Sequence, residues 1–262
     1  MFKIEQDKCY RMPVHFGGSP YRPVENAYHD VVNMIFTFKT DGDHLSRYIP
    51  EGFELLRPEL TINYAQCREI DWMAGSRYNL IDISAPVRFN GRRDRVEGTY
   101  SLVVWENKTE PILGGREETG VSKIYADIED LHCLQNKRFT IASFEGNSFL
   151  RLDMTVAGPV DDTTMERLRS MPVNSMHWRY IPKVGGPGAD LSQSVLYPQR
   201  AEAEKAWQGA GTVQWTLLRY EQNPTQAHII KALAELPVLE MSPVILGKGA
   251  IYLMSTMARV LE

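Results

Sequence analysis

The chain has 262 residues, of which 43% are hydrophobic and 24% charged, a balance that allows one sizeable core. Its 33 acidic and 29 basic residues give a formal net charge of -4 without a run of like charges, which argues against nucleic acid or a polybasic membrane patch as partners. An export signal and a membrane-spanning apolar stretch are also missing from the sequence, so we expect a single cytoplasmic domain over residues 1–262 that acts on small molecules.

The first predicted elements are an arm, a strand and a short helix. Proline and glycine break the arm over residues 1–27. Apolar and polar residues then alternate over residues 34–38, as on a half-buried strand. The following stretch predicts a helix that is capped by Asp41 or Asp43 and ends at Pro50.

The centre of the chain is a succession of short alternating runs separated by glycine-containing and asparagine-containing turns. So many strands in sequence predict a closed or curled antiparallel sheet. The predicted strands cover about residues 59–71, 77–88, 98–106, 123–129, 138–145 and 147–156.

The C-terminal part mixes helices with further strands. Helical patterns cover residues 161–171 and 223–236, and the second has an apolar face. In the last strand, Gly247 and Gly249 indicate a bend where the backbone meets a cavity. The fold class predicted from these elements is α+β, an antiparallel β-barrel flanked by a few helices. The remaining predicted strands cover about residues 176–183, 192–198 and 211–220.

Motifs of several common chemistries are missing from the sequence. It contains no HExxH, no GxSxG and no glycine-rich phosphate or dinucleotide motif. The three cysteines form no CxxC pair, which is typical of reduced thiols, and His132 beside Cys133 is only a weak sign of metal binding. We therefore expect no metal and no cofactor. Lysine chemistry remains, although a lysine at the start of a strand is usually a solvated charge.

Four sequence motifs support a lysine site. They are TD...IPEGFEL at 40–55, APVRFNG at 85–91, GGRE at 114–117 followed by Lys123, and ELPVLEMS at 235–242. In this order and spacing, residues 28–260 resemble the acetoacetate decarboxylase superfamily. The resemblance implies a β-barrel flanked by helices, at least a homodimer, and a lysine that forms a Schiff base with a keto acid. That lysine follows the arginine of GRE by seven residues, so the resemblance assigns the nucleophile to Lys123.

The sequence also departs from the family pattern. Val31, Asn63 and Leu80 stand where family decarboxylases carry an arginine and two glutamates, and Ile124 replaces a second lysine. Without that neighbouring cation, burial has to favour the neutral amine that acts as nucleophile. Arg116 favours the neutral amine too if it lies near Lys123. The missing glutamates make acetoacetate decarboxylation the alternative rather than the preferred reaction.

Strand parity indicates what else faces the cavity. If Leu80 points into it, Tyr78 and Asp82 do as well, since side chains two residues apart share a face. Tyr252 on the last strand is a second candidate phenol. Either tyrosine is equally compatible with a core aromatic whose hydroxyl is satisfied locally.

These residues suit a lyase that joins pyruvate or a related keto acid to an aldehyde and then removes water. Lys123 would form the imine, and Tyr78 and Tyr252 would move protons. Arg116 would bind the substrate carboxylate, with Glu117, Asp82 and Leu80 as further substrate contacts, unless Arg116 and Glu117 form a structural ion pair. A non-catalytic barrel that binds small apolar acids remains a separate alternative.

Overall fold

The structure, a computed structural model, describes residues 1–21 and 24–262, so residues 22–23 of the predicted arm lie outside it. The four helices are α1 (Gly42–Ser46), α2 (Thr109–Glu118), α3 (Asp162–Arg169) and α4 (Ala227–Ala234). Short 3-10 turns cover Val14–Phe16, Asp71–Met73 and Ser255–Met257. The strands are β1 (Lys8–Cys9), β2 (Ser19–Pro20), β3 (Asn26–Lys39), β4 (Phe53–Leu55), β5 (Glu59–Ile70), β6 (Ser76–Asn90), β7 (Arg95–Glu106), β8 (Lys123–Tyr125), β9 (Asp127–Ile128), β10 (His132–Leu134), β11 (Lys137–Phe144), β12 (Asn147–Pro159), β13 (Met171–Pro182), β14 (Ala189–Trp215), β15 (Glu240–Met241), β16 (Val244–Leu253) and β17 (Arg259–Val260).

Seven strands close into a ring in the order β3–β5–β6–β7–β13–β14–β16, and β16 pairs back with β3. Neighbouring strands of the ring are antiparallel except β7 and β13, which run parallel with Ser175 opposite Thr99. A Cβ on Gly98 at this junction would lie 2.1 Å from the carbonyl oxygen of Asn174, so the glycine permits the close approach of the two strands. The predicted sheet-dominated α+β fold is confirmed.

A second layer grows out of the longest strand. β14 has 27 residues; it pairs with β13 and β16 in the ring, shifts register between Ala203 and Lys205, and then pairs with β12. β12 in turn carries β11, to which β9 and β10 add. The main apolar core lies between this layer, helix α4 and one face of β3, β5, β6 and β7. Its largest fully buried side chains include Trp105, Tyr64, Phe36, Phe38, Phe149 and Met34.

Several local predictions agree with the structure. The Asp41 carboxylate caps α1 by accepting a hydrogen bond from the backbone N–H of His44 at 2.7 Å. Helix α4 buries Ile230 and Leu233, as its apolar face predicts. The bend in β16 lies at Gly249, where a Cβ would meet the backbone oxygen of Glu202. No helix within residues 1–21 and 24–262 has the length and apolar character needed to cross a lipid bilayer.

Other boundaries were wrong. Sequence analysis predicts no helix between the strands at 98–106 and 123–129, whereas residues 109–118 form helix α2. Adjacent glycines at 114 and 115 lower the intrinsic helix propensity by about 1 kcal/mol each, so the helix depends on the burial of Pro111 and Ile112. The predicted run 123–129 is interrupted at Ala126, and the strands predicted at 192–198 and 211–220 belong to the single strand β14, which ends at Trp215.

Candidate active site

The ring encloses a cavity of about 210 Å³, which we call the inner cavity. Much of its wall consists of alternate residues of the ring strands, because every second side chain of a strand points to the same face. Most of the lining is apolar. Its polar side chains include Tyr28, Tyr78, Asp82, Glu106, Lys123 and His177.

Lys123 begins β8, which adds to the ring strand β7 in parallel, with Lys123 opposite Val104. Its Nζ lies 2.8 Å from Oε1 of Glu106 and donates a hydrogen bond to the carbonyl oxygen of Pro111 at 3.0 Å. Only 14% of the lysine side chain is exposed. A Cβ on Gly115 would lie 2.6 Å from the lysine Cε, so this glycine of the GGRE motif makes room for the lysine.

Glu106 ends β7, and its side chain is 0% exposed. Burial raises the pKa of its carboxyl group, and the Lys123 ammonium opposes that shift only in part. Oε2 has no hydrogen-bond partner among the described residues. The Glu106 carboxyl group lies within hydrogen-bond distance of the lysine nitrogen, so it can accept or return a proton when that nitrogen reacts.

Strand β6 carries residues of both faces, as its parity predicts. Tyr78, Leu80 and Asp82 line the inner cavity, whereas Ile81 and Ile83 belong to the apolar core. Burial raises the pKa of Asp82 to about 6, and the Ser101 and Ser84 hydroxyls offset part of this effect. Near neutral pH the Asp82 carboxyl can therefore hold or release a proton.

Two phenols meet at the edge of the inner cavity. The hydroxyls of Tyr28 and Tyr78 are 3.1 Å apart, and Trp72 Nε1 donates to the Tyr28 oxygen at 3.1 Å. Burial raises the pKa of both phenols well above the ordinary value. Tyr78 consequently stays protonated at neutral pH and can act as a hydrogen-bond donor rather than as a base.

His177 is a polar residue of the cavity wall that is 1% exposed. Its Nε2 lies 3.0 Å from the Ser175 hydroxyl. Burial lowers its pKa to about 3, and the positive charge of Lys123 adds to this effect. The imidazole is therefore neutral at physiological pH and adds no second cation to the inner cavity.

A smaller space of about 140 Å³, the outer compartment, adjoins Lys123. Lys123, Tyr28, Tyr197 and Leu253 line both spaces, so the lysine lies at their boundary. The other residues that line the outer compartment come from the N-terminal arm and strand β3, from the turn before β6 and from helix α2: Arg11, Asn26, Trp72, Glu110, Pro111, Gly114, Gly115, Glu118 and Thr119.

The family of this chain follows from comparison with known proteins. The sequence profile of the acetoacetate decarboxylase (ADC) family matches residues 11–248. The chain belongs to this family. An acetoacetate decarboxylase of Burkholderia ambifaria (strain MC40-6) is 25% identical over 240 residues, which is 90% of this chain and 88% of the relative. One of Burkholderia mallei (strain NCTC 10229) is 26% identical over 241 residues, with the same coverage of each chain.

Solved structures share the fold at lower identity. The acetoacetate decarboxylase of Legionella pneumophila superposes with a TM-score of 0.75 at 18% identity, covering 94% of this chain and 92% of that protein. The enduracididine biosynthesis enzyme MppR, solved with the condensation product of pyruvate and imidazole 4-carboxaldehyde, superposes with a TM-score of 0.69 at 14% identity, covering 92% and 90%. Family membership makes this chain a relative of enzymes.

Three residues predicted for the site lie elsewhere in the described chain. Arg116 is exposed on α2, and its Nη1 donates to the backbone carbonyl of Lys123 at 2.8 Å, so it braces the start of β8. The neighbouring Glu117 accepts a hydrogen bond from Arg179 through its backbone carbonyl. Tyr252 packs under the Arg200 guanidinium, 4.2 Å from its ring centroid. None of the three predicted residues lines the inner cavity or the outer compartment as the structure describes them.

Strand and helix geometry account for these positions. On β16, Ile251 and Leu253 line the inner cavity and Tyr252 between them does not, although Lys248 and Ala250 beside the register shift of this strand line it as well. Arg116 lies on helix α2 with its side chain exposed. The expected roles of Tyr252, Arg116 and Glu117 beside the substrate stay predictions.

Sequence analysis also missed Glu106 and His177. A signal existed for Glu106: a charged residue directly after the apolar run Leu102–Trp105 has to be paired or neutral if the strand end is buried. For His177, the partly polar run 173–178 gave no comparable signal.

Proposed function

We propose that this chain forms an imine between Lys123 and the ketone carbon of a small keto acid, condenses the resulting enamine with an aldehyde, and then eliminates water. The observation that carries the proposal is the ion pair of Lys123 with the fully buried Glu106 at the boundary of two compartments. This contact supplies an enclosed amine with a proton acceptor 2.8 Å away. The two compartments supply space on both sides of the bond to be made.

In the first step Nζ attacks the ketone carbon, a C–N bond forms, and the carbonyl electron pair moves to oxygen. Glu106, which starts as the carboxylic acid, protonates that oxygen, then takes one proton from the nitrogen and passes it to the same oxygen, which leaves as water when the C–O bond breaks. One amine, one ketone and the proton of Glu106 thus give one iminium, one Glu106 carboxylate and one water. The charge of the iminium form is balanced by the Glu106 carboxylate.

In the second step a proton leaves the carbon next to the iminium and gives the enamine. Glu106 is the nearest carboxylate to accept it. The enamine carbon attacks the aldehyde carbon, and the alkoxide formed takes a proton from Tyr78, whose buried phenol is a donor. A second proton then leaves the former enamine carbon, the hydroxyl leaves from the neighbouring carbon, and the two together make one water and a conjugated imine. Hydrolysis with one water releases the product and Lys123.

Two further observations support condensation over decarboxylation. Position 80 in the cavity wall is leucine and position 63 is asparagine, so neither supplies the carboxylate that family decarboxylases carry there. The fold is shared with MppR, whose structure holds a condensation product of pyruvate and an aldehyde. The mostly apolar wall of the inner cavity suits the hydrocarbon part of an aldehyde.

Decarboxylation of a β-keto acid is the second candidate, and Asp82 favours it. After loss of carbon dioxide, the enamine has to be protonated at carbon, which requires an acid in the cavity. Asp82 has a pKa of about 6 and faces the same space as Lys123. The curated relatives that bear the name acetoacetate decarboxylase support this alternative.

Borohydride trapping tests the imine. Reduction in the presence of saturating pyruvate or acetoacetate should add the reduced keto acid to the protein, and peptide mass spectrometry should locate it at Lys123. The variant Lys123→Ala should show no adduct. The matched control Lys248→Ala removes a lysine at the cavity rim that is half exposed, and it should keep the adduct. Absence of an adduct in the wild-type protein would leave a small-molecule-binding member of the family.

Product assays then separate the two reactions. Condensation predicts a new enone absorbance when pyruvate is mixed with an apolar aldehyde, and decarboxylation predicts carbon dioxide from acetoacetate alone. Leu80→Glu should raise carbon dioxide release, since it restores a carboxyl group at a position of the cavity wall. The release of carbon dioxide by the wild-type protein without any enone would reverse the order of the two candidates.

A further inference from the structure

The inner cavity is a poor place for a substrate carboxylate. Its enclosed ionisable groups include two carboxyls, Glu106 and Asp82, but among the described residues Lys123 is the one cation held inside, because His177 is neutral. Lys248 lies at the rim, half exposed and 3.3 Å from Asp30. A third carboxylate placed inside would face like charges without a partner, which is costly in a low dielectric.

The outer compartment offers a cation instead. Arg11 of the N-terminal arm is the one arginine that lines either space within residues 1–21 and 24–262. Its Nε is engaged by the Glu118 carboxylate, which fixes the plane of the guanidinium. The hydrogen bonds of the described chain leave both Nη groups without an acceptor. Two parallel N–H donors match the two oxygens of a carboxylate.

The adjacent glycines of the GGRE motif connect Arg11 to the reacting lysine. Gly115 leaves room for the Lys123 side chain, as described above, and a Cβ on Gly114 would lie 3.6 Å from the Cζ and from an Nη of Arg11. Neighbouring Cα atoms are about 3.8 Å apart. Arg11 and Lys123 therefore lie against consecutive residues of helix α2, and both border the outer compartment.

We infer that Arg11 binds the carboxylate of the keto acid in the outer compartment and so directs its ketone carbon at Lys123. This assignment rests on the proposed imine chemistry and adds its substrate orientation. Glu118 is the positioning residue for the guanidinium. The acyl end of the keto acid then points through the boundary into the inner cavity, where the apolar aldehyde meets the enamine.

The test compares two ligands and two arginines. Borohydride trapping is titrated with pyruvate and with methyl pyruvate, which has no carboxylate, in wild-type protein, Arg11→Gln and Arg219→Gln. The Arg11→Gln variant should raise the half-saturating concentration of pyruvate at least about 10-fold, as expected for loss of a charge-assisted bidentate contact, and should change that of the ester less than twofold. Arg219 is 80% exposed and lines neither space, so Arg219→Gln is the matched control and should change neither.

Each outcome tests either the imine chemistry or the role of Arg11. If the wild-type protein traps neither ligand, the proposed imine chemistry fails. If trapping works but Arg11→Gln leaves the pyruvate titration unchanged, imine formation stands and the role of Arg11 is wrong. Equal weakening of both ligands in Arg11→Gln would also overturn it, because the arginine would then act through the packing of the arm. Compared with Arg11→Gln, the variant Arg11→Lys should recover only part of the affinity for pyruvate.

Discussion

The two faces of strand β6 have opposite characters. One face sends Ile81, Ile83 and Ala85 into a dry core in which each is fully buried. The other sends Tyr78, Leu80 and Asp82 towards a cavity that contains ionisable groups. The same strand thus carries apolar side chains whose burial stabilises the fold and an ionisable side chain whose burial lowers its stability.

The two faces of β6 contribute to the free energy of folding with opposite sign. Buried apolar side chains contribute about 25 cal/mol per Å² removed from water, whereas a buried carboxyl costs free energy whenever it is charged. Asp82 and Glu106 therefore lower the stability of the neutral-pH protein, and the core face on the same strands compensates for them. Mutations on the two faces should have effects of different size and, for Asp82, of different sign.

Truncation of the core face should have the largest effect on stability. Ile83→Ala should lower the free energy of unfolding by about 3 to 4 kcal/mol, since it removes buried methyl groups and leaves a void in a packed core. Leu80→Ala, on the same strand but bordering existing space, should cost about 1 kcal/mol. Urea unfolding of both variants checks this pair. Equal losses would mean that the cavity side is packed as tightly as the core.

Removal of Lys123 should have the next largest effect on the free energy of unfolding. Lys123→Met leaves the Glu106 carboxylate buried without its counter-ion, so unfolding at pH 8 should become easier by about 3 kcal/mol. Because burial already raises the pKa of Glu106, the deficit should shrink as the pH falls and the carboxyl takes up a proton. Thermal or urea unfolding at pH 8 and pH 5 measures both values.

A second substitution isolates the cause. Lys123→Met combined with Glu106→Leu replaces the pair by two apolar side chains and should recover most of the lost stability. If the double variant is less stable than the single one, the loss in Lys123→Met stems from packing of the lysine stem and not from an unpaired charge.

Sequence alone predicts features that depend on nearby residues. The alternation of β6, the Asp41 cap of α1 and the bend at Gly249 follow from periodicity or from one residue type. The same logic, counted from Gly249, assigns Ile251 to the cavity and Tyr252 to the opposite face, and the catalytic role of Tyr252 stays a prediction.

Other features depend on contacts between distant parts of the chain. Glu106 meets Lys123 only because β8 pairs in parallel with β7, which brings Lys123 opposite Val104. Arg11 reaches the outer compartment because the arm folds against α2, far away in sequence. Neither pairing leaves a periodic pattern in the sequence, so the family resemblance suggests Lys123 as the nucleophile, but local patterns do not predict which residues contact it.

The pH dependence of stability distinguishes Asp82 from the apolar residues of the core face. Its pKa is about 6 in the folded protein and near 3.9 in the unfolded chain. Between these values the folded state binds more protons, so the Asp82 contribution to stability falls as the pH rises from about 4 to 6 and remains unfavourable above that. Asp82→Asn should therefore match wild type near pH 4 and be more stable by about 3 kcal/mol at pH 7.5.

His177 provides the opposite sign in the same range. Its pKa falls to about 3 on folding, so the unfolded chain takes up a proton below about pH 6.5 and stability is lost as the pH decreases. His177→Asn should remove that acid sensitivity without the gain at pH 7.5 that Asp82→Asn shows. Urea midpoints at three pH values distinguish the variants. A flat profile for the difference between Asp82→Asn and wild type would contradict the buried-carboxyl account.

The smallest expected effect on stability concerns two tyrosines, Tyr78 in the wall of the inner cavity and Tyr252, which lines neither space. The same two substitutions also test the proposed reaction. Tyr78→Phe removes one hydroxyl from the contact with Tyr28 and should cost about 1 kcal/mol of stability, while imine trapping at Lys123 continues. Condensation of the enamine with the aldehyde should slow at least about 10-fold, because the alkoxide formed in that step loses its proton donor. Tyr252→Phe keeps the ring under Arg200 and should leave both stability and turnover unchanged. Enone formation followed by absorbance compares the two variants directly, and equal rates would remove the phenol of Tyr78 from the mechanism.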